Sequence, residues 1–290
     1  MFSVIFPGQG SQIVGMGKEF FEKFDLVKKL FKDADEVLEY SLSKTILEGP
    51  KEELDLTFNT QPAIFLVSYS IYKVVTEEFN IELNKAKYFA GHSLGEYSAL
   101  STAGYLNFSD TIKLLRLRGD ATVEIIEEIL KTNESNFFAQ IANDNSEGQI
   151  VISGKNDDLI KCIEILKSKK IKNIKLPVSA PFHCSLMKKA TEIMKKELDN
   201  IKFIDANKTL ISNVTAEEIS NKDTLKKLLI DQIENRVRWR ESVINMINSG
   251  VSHFVEIGPG KVLSGLVKRI NKDVNIDTIN TESDIKELKI

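Results

Sequence analysis

The sequence predicts an α/β fold, because short apolar runs bounded by Gly, Pro or Asn alternate with segments of helical periodicity. A length of 290 residues accommodates one large domain, or a large domain that carries a small one. Between Arg118 and Pro177 the order changes to helix, strand, turn, strand, helix and strand. We therefore expect a smaller subdomain inserted into a larger α/β chain.

The predicted strands are short and apolar. In chain order they are Phe2–Phe6, Tyr88–Ala90, Phe137–Ala142, Gln149–Ser153, Ile174–Val178, Leu210–Ile211 and His253–Ile257. In the inserted segment the polar run NDNSEG, Asn143–Gly148, predicts the turn between two of these strands. We expect the polar tail after about Asn271 to be loosely held.

The clearest predicted helix runs from about Gln61 to Phe79 and is apolar on nearly all sides, which indicates a buried central helix. Thr60 is its expected N-cap and Pro62 lies in its first turn. The other predicted helices are Phe20–Tyr40, Leu94–Ala103, Asp110–Arg118, Asp157–Lys169, Leu186–Leu198, Thr224–Glu234, Glu241–Asn248 and Val262–Ile270.

The composition excludes several classes of protein. A net charge of −3 argues against a nucleic-acid binder, whose footprint would be basic. The two cysteines, Cys162 and Cys184, lack CxxC spacing, which argues against a disulfide framework or a zinc site and suits a reducing cytoplasm. The first apolar stretch is too short for a signal peptide, and no 18-residue apolar run occurs. We therefore expect a cytoplasmic protein that does not span a membrane.

The stretch Phe89–Leu100, FAGHSLGEYSAL, contains the pattern Gly-x-Ser-x-Gly around Ser93. A short apolar strand precedes the pattern and a helix is predicted from Leu94, a context typical of a nucleophilic serine in a tight elbow. Gly91 and Gly95 suit such a turn because it has no room for a Cβ atom at either position. The pattern also arises by chance in strand-to-helix turns, but its context favours a nucleophile.

A nucleophilic serine needs a base near neutral pH, and the chain has three histidines. His92 adjoins Ser93, and neighbours in a tight turn usually point apart, so it is a poor base. His253 alternates with apolar residues on a predicted strand, which indicates a structural role. His183 lies in a proline-stiffened loop between a strand and a helix, where catalytic groups are common. By elimination His183 is the best candidate.

Six motifs occur in order along nearly the whole chain. They are FPGQGSQ (Phe6–Gln12), TQPA (Thr60–Ala63), GHSLGEYSAL (Gly91–Leu100), LLRLRG (Leu114–Gly119), APFHCSLM (Ala180–Met187) and EIGPGKVLSGLVKRI (Glu256–Ile270). Together they resemble the malonyl-CoA:acyl carrier protein transacylases of bacterial type II fatty acid synthesis. The resemblance implies an α/β-hydrolase-like large domain at residues 1–120 and 180–290. It also implies a ferredoxin-like small domain at residues 121–179, with the active site between the two.

The same resemblance implies roles for individual residues. Ser93 matches the acylated serine, and His183 matches its partner in a dyad. A main-chain carbonyl at the position of Gln232 would orient the imidazole. Gln9, which also belongs to the substrate-binding set, matches the residue whose backbone N–H forms the oxyanion hole with that of Leu94. From the residues alone the glycine-flanked loop at Gln9 could also indicate phosphate binding, but it lacks the P-loop and dinucleotide signatures.

Arg118 matches the arginine that binds the free carboxylate of the malonyl group, a task that suits the guanidinium fork. Arg116 is its local rival, but the two side chains point roughly 200° apart around a helix, so only one can face the site. One departure from the family pattern follows Arg118, where a stretch that would form a further small-domain strand is missing. We therefore expect an abbreviated small sheet.

The resemblance implies a ping-pong transfer of malonyl from malonyl-CoA, through a Ser93 ester, to the phosphopantetheine thiol of acyl carrier protein. No metal or prosthetic group is needed, and we expect a monomer. An acidic carrier protein could dock on a local basic surface, although such residues are more often ordinary solvated helix faces. The candidate pairs are Lys188–Lys189 with Lys195–Lys196, or Lys268–Arg269.

Three other functions remain open. An α/β-type serine hydrolase would share the elbow and use His253 as its base. A stand-alone acyltransferase that serves a polyketide synthase would share every catalytic residue, and Phe182 beside the base is compatible with malonyl selection without proving it. A degenerate protein retained as a binding partner is disfavoured because all the matched residues are present.

Overall fold

The computed structural model describes residues 1–131, 138–147, 149–176 and 181–290, and for residues 120–131 it describes the backbone alone. Within this part the chain has a mixed α/β fold, as the sequence predicts. Its strands are β1 (Phe2–Phe6), β2 (Tyr88–Gly91), β3 (Ala139–Ser146), β4 (Gln149–Gly154), β5 (Leu210–Ile211), β6 (Glu218–Ile219), β7 (His253–Ile257) and β8 (Asn275–Ile279). The main sheet has the order β6-β5-β2-β1-β7-β8, and β3 and β4 form a separate pair.

Thirteen α-helices lie in the described part of the chain. They are α1 (Lys18–Lys23), α2 (Asp25–Leu38), α3 (Leu42–Glu48), α4 (Lys51–Leu54), α5 (Thr57–Lys73), α6 (Gly95–Thr102), α7 (Phe108–Lys131), α8 (Asn156–Ser168), α9 (Lys188–Asn200), α10 (Lys222–Asp231), α11 (Trp239–Asn248), α12 (Val262–Ile270) and α13 (Glu282–Glu287). Nearly every residue of α5 is buried, as expected for a central helix. None of the described helices has both the length and the apolar character needed to cross a membrane.

The main sheet brings two chain segments to one edge. Strands β1, β2, β5, β7 and β8 run parallel, and β6 pairs antiparallel with β5. In the register of β1 with β2, Phe6 lies beside Gly91, so both strands end at the same level. The glycine-rich loop after β1 and the serine turn after β2 therefore meet at the carboxyl edge, where α/β sheets commonly bind ligands.

The separate pair β3–β4 is antiparallel and is followed by α8. Its edge is tied to the segment that precedes α11. The backbone N–H of Asp144 donates to the Val237 carbonyl over 2.9 Å, and the Val237 N–H donates to the Ala142 carbonyl over 2.8 Å. Arg240 also donates to the Asp144 carboxylate over 2.8 Å. These bonds hold β3 against the main body of the protein.

The predicted turn at Asn143–Gly148 is wrong over most of its length, because β3 continues through Ser146. Its polar residues are held in a strand by pairing with β4 on one side and with Val237 on the other, so tertiary contacts override local turn preference. The predicted strand Ile174–Val178 is not observed at residues 174–176, and its last two residues lie outside the described part of the chain. The same is true of Phe137, the expected start of β3.

Several helix boundaries differ from expectation. The predicted helix Phe20–Tyr40 is two helices, because Phe24 adopts an extended backbone between them. Thr60 is not an N-cap: α5 begins at Thr57, and the Thr60 hydroxyl donates to the Leu54 carbonyl over 2.6 Å. After Lys73 the chain continues as a π-helical turn, Val74–Glu78. The helix predicted at Asp110–Arg118 is longer and becomes α7.

The expectation of a loosely held tail is wrong. Strand β8 pairs in parallel with β7 along its whole length, and α13 starts with a capping box at Thr281. Val274, Ile279 and Ile285 are buried, so the polar residues of this tail are interleaved with apolar side chains that complete the edge of the core. A count of polar residues did not reveal this spacing.

Gly95 offers a test of the close contact between β1 and the serine turn. A Cβ at this position would lie 2.3 Å from the Phe6 carbonyl oxygen, which is far inside van der Waals contact. We expect Gly95→Ala to lower the free energy of unfolding by about 2 kcal/mol or more, measured by chemical denaturation. The matched control is Gly265→Ala at an exposed position of α12, where a Cβ meets nothing within 4 Å. That change should be neutral or stabilising by up to about 1 kcal/mol; equal effects at the two sites would contradict the account.

Candidate active site

Ser93 occupies a strained turn between β2 and α6. Its backbone φ is 55°, in the left-handed region that non-glycine residues rarely adopt. A Cβ on Gly91 would lie 1.9 Å from the Gly95 carbonyl oxygen, so the turn closes only because both positions are glycine. The Ser93 N–H donates to Asn213 Oδ1 over 2.8 Å, which anchors the turn from the neighbouring chain segment.

The Ser93 hydroxyl is hydrogen-bonded to His183. The distance from Ser93 Oγ to His183 Nε2 is 2.8 Å. The other ring nitrogen, Nδ1, lies 2.8 Å from the Gln232 carbonyl oxygen and 3.1 Å from that of Asn235. Because carbonyl oxygens only accept, Nδ1 carries the proton and Nε2 is left with a lone pair that faces Ser93. The imidazole is thus fixed in the tautomer of a general base.

The environment of His183 keeps it neutral. Its side chain is buried, and burial together with the positive charge of Arg118 lowers the pKa of His183 to about 3. The two carbonyl oxygens act in the opposite direction without reversing this shift. An imidazole with so low a pKa is unprotonated throughout the neutral range, so it is ready to accept a proton from Ser93.

The guanidinium of Arg118 lies directly beside Ser93. Its Nη2 is 3.2 Å from Ser93 Oγ, and its Nη1 donates to Gln61 Oε1 over 2.6 Å. The side chain is 1% exposed and its guanidinium carbon stacks 4.4 Å from the centre of the Phe182 ring. Arg116 turns the other way, where it donates to Asn59 and stacks on Tyr40 and Phe58. Of the two rival arginines, Arg118 faces the serine.

The glycine-rich loop after β1 is pressed against the serine turn. A Cβ on Gly8 would lie 2.6 Å from the His92 carbonyl oxygen. The Ser11 hydroxyl donates to the Gly8 carbonyl over 2.8 Å, which braces the loop. Within the described ranges, the backbone N–H groups of Gln9 and Leu94 have no hydrogen-bond acceptor. Gln9 lies in the glycine-rich loop, and Leu94 lies in the serine turn. Leu94 also immediately precedes α6, whose N-terminus favours negative charge.

The other two histidines lie away from the Ser93 hydroxyl. His92 Nε2 is 2.8 Å from Asn145 Oδ1 on β3, and its ring meets Trp239 edge-on. His253 begins β7, pairs with Phe2 at the start of β1 and contacts Asp277 over 2.7 Å. Ser93 follows the opposite end of the sheet, roughly 15 Å away at 3.3 Å per strand residue. His253 therefore cannot serve as its base.

Three buried residues join the site that the sequence reasoning did not single out. They are Gln61, which binds Arg118; Asn213, which binds the Ser93 N–H; and Glu96, whose carboxylate accepts from Asn213 and Gln232. Each is less than 5% exposed. Gln61 and Glu96 lie inside quoted motifs, where a polar residue in an otherwise apolar helix was a usable signal. Asn213 lies in a segment that carried none.

A cavity of about 480 Å³ opens beside His183, within the size range of small-molecule sites. Its other lining residues come from β3, from the turn after His183 and from the loop between α10 and α11. They are Gln140, Ile141, Ser185, Glu234, Asn235 and Arg236. Within the described residues no group of three or more His, Cys, Asp or Glu side chains could hold a metal ion. His183 thus links the cavity, which it lines, to the Ser93 hydroxyl, to which it is hydrogen-bonded.

Comparison with known proteins places this geometry in a family. Residues 3–286 match the model of the acyl transferase domain. The malonyl CoA-acyl carrier protein transacylase of Bacillus subtilis is 44% identical over 289 residues, which is 92% of this chain and 90% of that protein. The Escherichia coli protein of the same name is 36% identical, over 97% and 96% of the two chains.

Solved structures give the same result. The acyl-carrier-protein-S-malonyltransferase of Bartonella henselae is 39% identical and superposes with a TM-score of 0.90, covering 99% of this chain and 97% of that one. A malonyl-transacylase solved in complex with its type II PKS acyl-carrier protein is 34% identical with a TM-score of 0.90, covering 98% and 97%. The fold of the described residues is therefore similar to the folds of these enzymes.

The choice of base can be tested by reacting the protein with a fluorophosphonate, which labels activated serines. We expect His183→Ala to slow labelling of Ser93 by about 10²- to 10⁴-fold, because the proton acceptor is lost. His253→Ala is the matched control and should label within about twofold of the wild-type rate, since it removes only a peripheral contact with Asp277. Rates come from mass spectrometry of the intact protein. The reverse ranking of the two variants would contradict the assignment of the base.

Proposed function

The chain belongs to the acyl transferase family, and within it to the malonyl CoA-acyl carrier protein transacylases, and on this premise we propose how it works. It is an acyltransferase that moves malonyl from malonyl-CoA to the phosphopantetheine thiol of acyl carrier protein and supplies extender units for fatty acid synthesis. One observation carries the assignment of residues: the Ser93 hydroxyl has the His183 base 2.8 Å away on one side and the Arg118 guanidinium 3.2 Å away on the other.

In the first half-reaction, His183 Nε2 takes the proton from Ser93 Oγ as the oxygen attacks the malonyl thioester. The carbonyl groups of Gln232 and Asn235 stabilise the imidazolium that forms, because their negative dipole ends face Nδ1–H. The oxyanion of the tetrahedral intermediate is bound by the free N–H groups of Gln9 and Leu94. When the C–S bond breaks, His183 returns the proton to the departing CoA sulfur, and malonyl-Ser93 remains.

The second half-reaction reverses these roles. His183 takes the proton of the phosphopantetheine thiol, whose sulfur attacks the malonyl-Ser93 ester. The same oxyanion site holds the second intermediate, and the proton returns to Ser93 Oγ as the C–O bond breaks. Water would compete as a nucleophile, so confinement of the ester beside the buried His183 and Arg118 would favour transfer over hydrolysis. The hydrolase alternative is disfavoured because His253 cannot reach Ser93.

Arg118 is the residue that we propose selects malonyl. The free carboxylate of a malonyl ester lies one methylene beyond the acyl carbon, so its binding group must be close to the serine oxygen. Arg118 meets that requirement, and Gln61 and Phe182 hold its guanidinium in place. In a buried site an arginine–carboxylate pair forms charge-assisted hydrogen bonds that an acetyl group cannot make.

We also propose the domain division and the docking side. Residues 1–120 and 180–290 would form the α/β-hydrolase-like part, and residues 121–179 an abbreviated ferredoxin-like part, represented by the β3–β4 pair and α8. The exposed Lys188 and Lys189 start α9, a few residues after His183, which lines the cavity. Lys268 and Arg269 lie at the other candidate docking surface, in the last turn of α12. We propose Lys188–Lys189 as the docking side for an acidic carrier protein because it is close in sequence to His183.

Two further properties stay predictions. The free thiols of Cys162 and Cys184 support a location in the reducing cytoplasm. A monomer is expected because one chain supplies the serine, the base, the oxyanion donors and the arginine. The relative in complex with a type II PKS carrier protein makes polyketide carrier proteins worth including as acceptors in a transfer assay.

Selectivity can be tested with Arg118→Ala. We expect transfer of malonyl from malonyl-CoA to holo acyl carrier protein to lose about 10- to 100-fold in kcat/KM, because a hydrogen bond to a charged group contributes about 1.5–3 kcal/mol. Acetyl transfer should change little, so the malonyl-to-acetyl ratio falls. Arg116→Ala, two residues earlier on α7, is the control and should keep the wild-type ratio. An unchanged ratio in Arg118→Ala would contradict the proposed role.

A further inference from the structure

Glu96 is a buried carboxylate that the two half-reactions do not use. It lies on α6 one turn after Ser93 and is 2% exposed. Its Oε1 accepts from the backbone N–H of Asn213 over 3.2 Å, and its Oε2 accepts from Gln232 Nε2 over 2.5 Å. Burial of an ionisable group is costly, so a carboxylate retained in the core needs a physical reason.

Both partners of Glu96 lead directly to the reacting residues. Asn213 accepts the Ser93 N–H over 2.8 Å and donates to the Gly91 carbonyl over 2.7 Å, so it fixes the serine turn on both sides. Gln232 Nε2 also donates to the Ser93 carbonyl over 2.9 Å, and the Gln232 carbonyl accepts from His183 Nδ1 over 2.8 Å. Glu96 binds both Asn213 and Gln232, which also contact each other through Gln232 Nε2 and Asn213 Oδ1 over 3.4 Å.

We propose that Glu96 is a positioning residue of the acyl-transfer site, whose carboxylate holds Asn213 and Gln232, and through them Ser93 and His183, in the reactive arrangement. The inference rests on the proposed transfer function and deepens it. Glu96 acts through Asn213 and Gln232, which are its hydrogen-bond partners. The acid of a catalytic triad binds the imidazole directly. Glu96 instead binds the side chain of Gln232, whose main-chain carbonyl group orients the imidazole.

The hydrogen-bond pattern requires the ionised form. A backbone N–H can only donate, so Oε1 must accept from Asn213. The orientation of the Gln232 amide follows from Arg118, which can only donate and lies 3.4 Å from Gln232 Oε1. Gln232 therefore presents its NH₂ group to Oε2 of Glu96. Two donors face two oxygens, so a protonated Glu96, or a glutamine, would set one donor against another.

The protonation state of Glu96 changes near neutrality. Burial raises the pKa of Glu96 to about 7, while Asn213, Gln232 and the Arg118 charge act in the opposite direction. The other titratable groups around it are neutral there: burial raises the pKa of Tyr97 to about 12 and lowers the pKa of His183 to about 3. The pKa of His92 is likewise lowered by burial. The complete network is thus present above about pH 7 and is lost as the pH falls through that value.

The test is the single-turnover rate at which malonyl-CoA acylates the enzyme, followed from about pH 5.5 to pH 8.5 in the absence of carrier protein. For the wild type we expect the rate to fall by about fivefold or more between pH 7.5 and pH 5.5. Glu96→Gln should be about tenfold slower at pH 8 and independent of pH over this range. The malonyl-CoA concentration that gives the half-maximal acylation rate should stay within about twofold, because the buried Glu96 carboxylate is already bound by Asn213 and Gln232. Glu96→Asp should recover the acid limb, which is the fall in acylation rate at low pH.

Glu256→Gln is the matched control. Glu256 is an equally buried carboxylate that accepts from the Leu263 and Ser264 N–H groups at the start of α12, without contact to Asn213 or Gln232. It should keep the wild-type acid limb. The proposal is overturned if the wild-type rate is flat with pH, if Glu96→Gln keeps the wild-type rate and limb, or if Glu256→Gln loses the limb equally.

Folding of each variant is checked by circular dichroism, and if Glu96→Gln does not fold, the wild-type and Glu96→Asp profiles decide. Wild-type protein that takes up no malonyl at any pH would instead refute the proposed transfer function.

Discussion

The left-handed backbone of Ser93 is the constraint on which the rest of the site depends. With φ at 55°, the serine oxygen stands out from the turn, and the turn closes only because Gly91 and Gly95 leave room for neighbouring carbonyl groups. This tight closure lets the β1 end and its glycine loop approach, which brings Gln9 to the same edge as Leu94. Asn213 then secures the strained turn by accepting the Ser93 N–H. The position of the Ser93 hydroxyl and the approach of the proposed oxyanion donors, Gln9 and Leu94, are thus consequences of one steric condition.

Electrostatics explain why carbonyl groups rather than a carboxylate orient His183. Arg118 lies within hydrogen-bond distance of Ser93 Oγ, and burial together with its positive charge keeps His183 neutral. A carboxylate in direct contact with the imidazole would raise the pKa of His183 and would also compete for Arg118 with the malonyl carboxylate that we propose this arginine binds. Carbonyl oxygens orient the ring without adding a full charge. The carboxylate that compensates the Arg118 charge is that of Glu96, which is hydrogen-bonded to Gln232. The side-chain amide of Gln232 lies between the two charges, because it donates to Glu96 and accepts from Arg118.

The sequence predicted the central strands and the residues that meet at the site, because glycine spacing, three histidines and ordered motifs are local signals. Ser93, His183, Arg118 and the Gln232 carbonyl lie together as the resemblance implied. What failed depended on contacts distant in sequence. The turn at Asn143 became strand β3 through Val237, and the polar tail became β8 through pairing with β7. Asn213 and Glu96 were missed for the same reason, since their importance arises from partners 117 to 136 residues away, which no periodicity encodes.

Acyl transfer through Ser93 is tested most directly by locating the acyl group on the protein. The enzyme is mixed with malonyl-CoA without carrier protein, quenched in acid, digested and mapped by tandem mass spectrometry. The account predicts one malonyl group, on the Ser93 peptide, that disappears when holo acyl carrier protein is added before the quench. In Ser93→Ala no acylated peptide should form. A malonyl group on another residue, or one that persists in Ser93→Ala, would contradict the account.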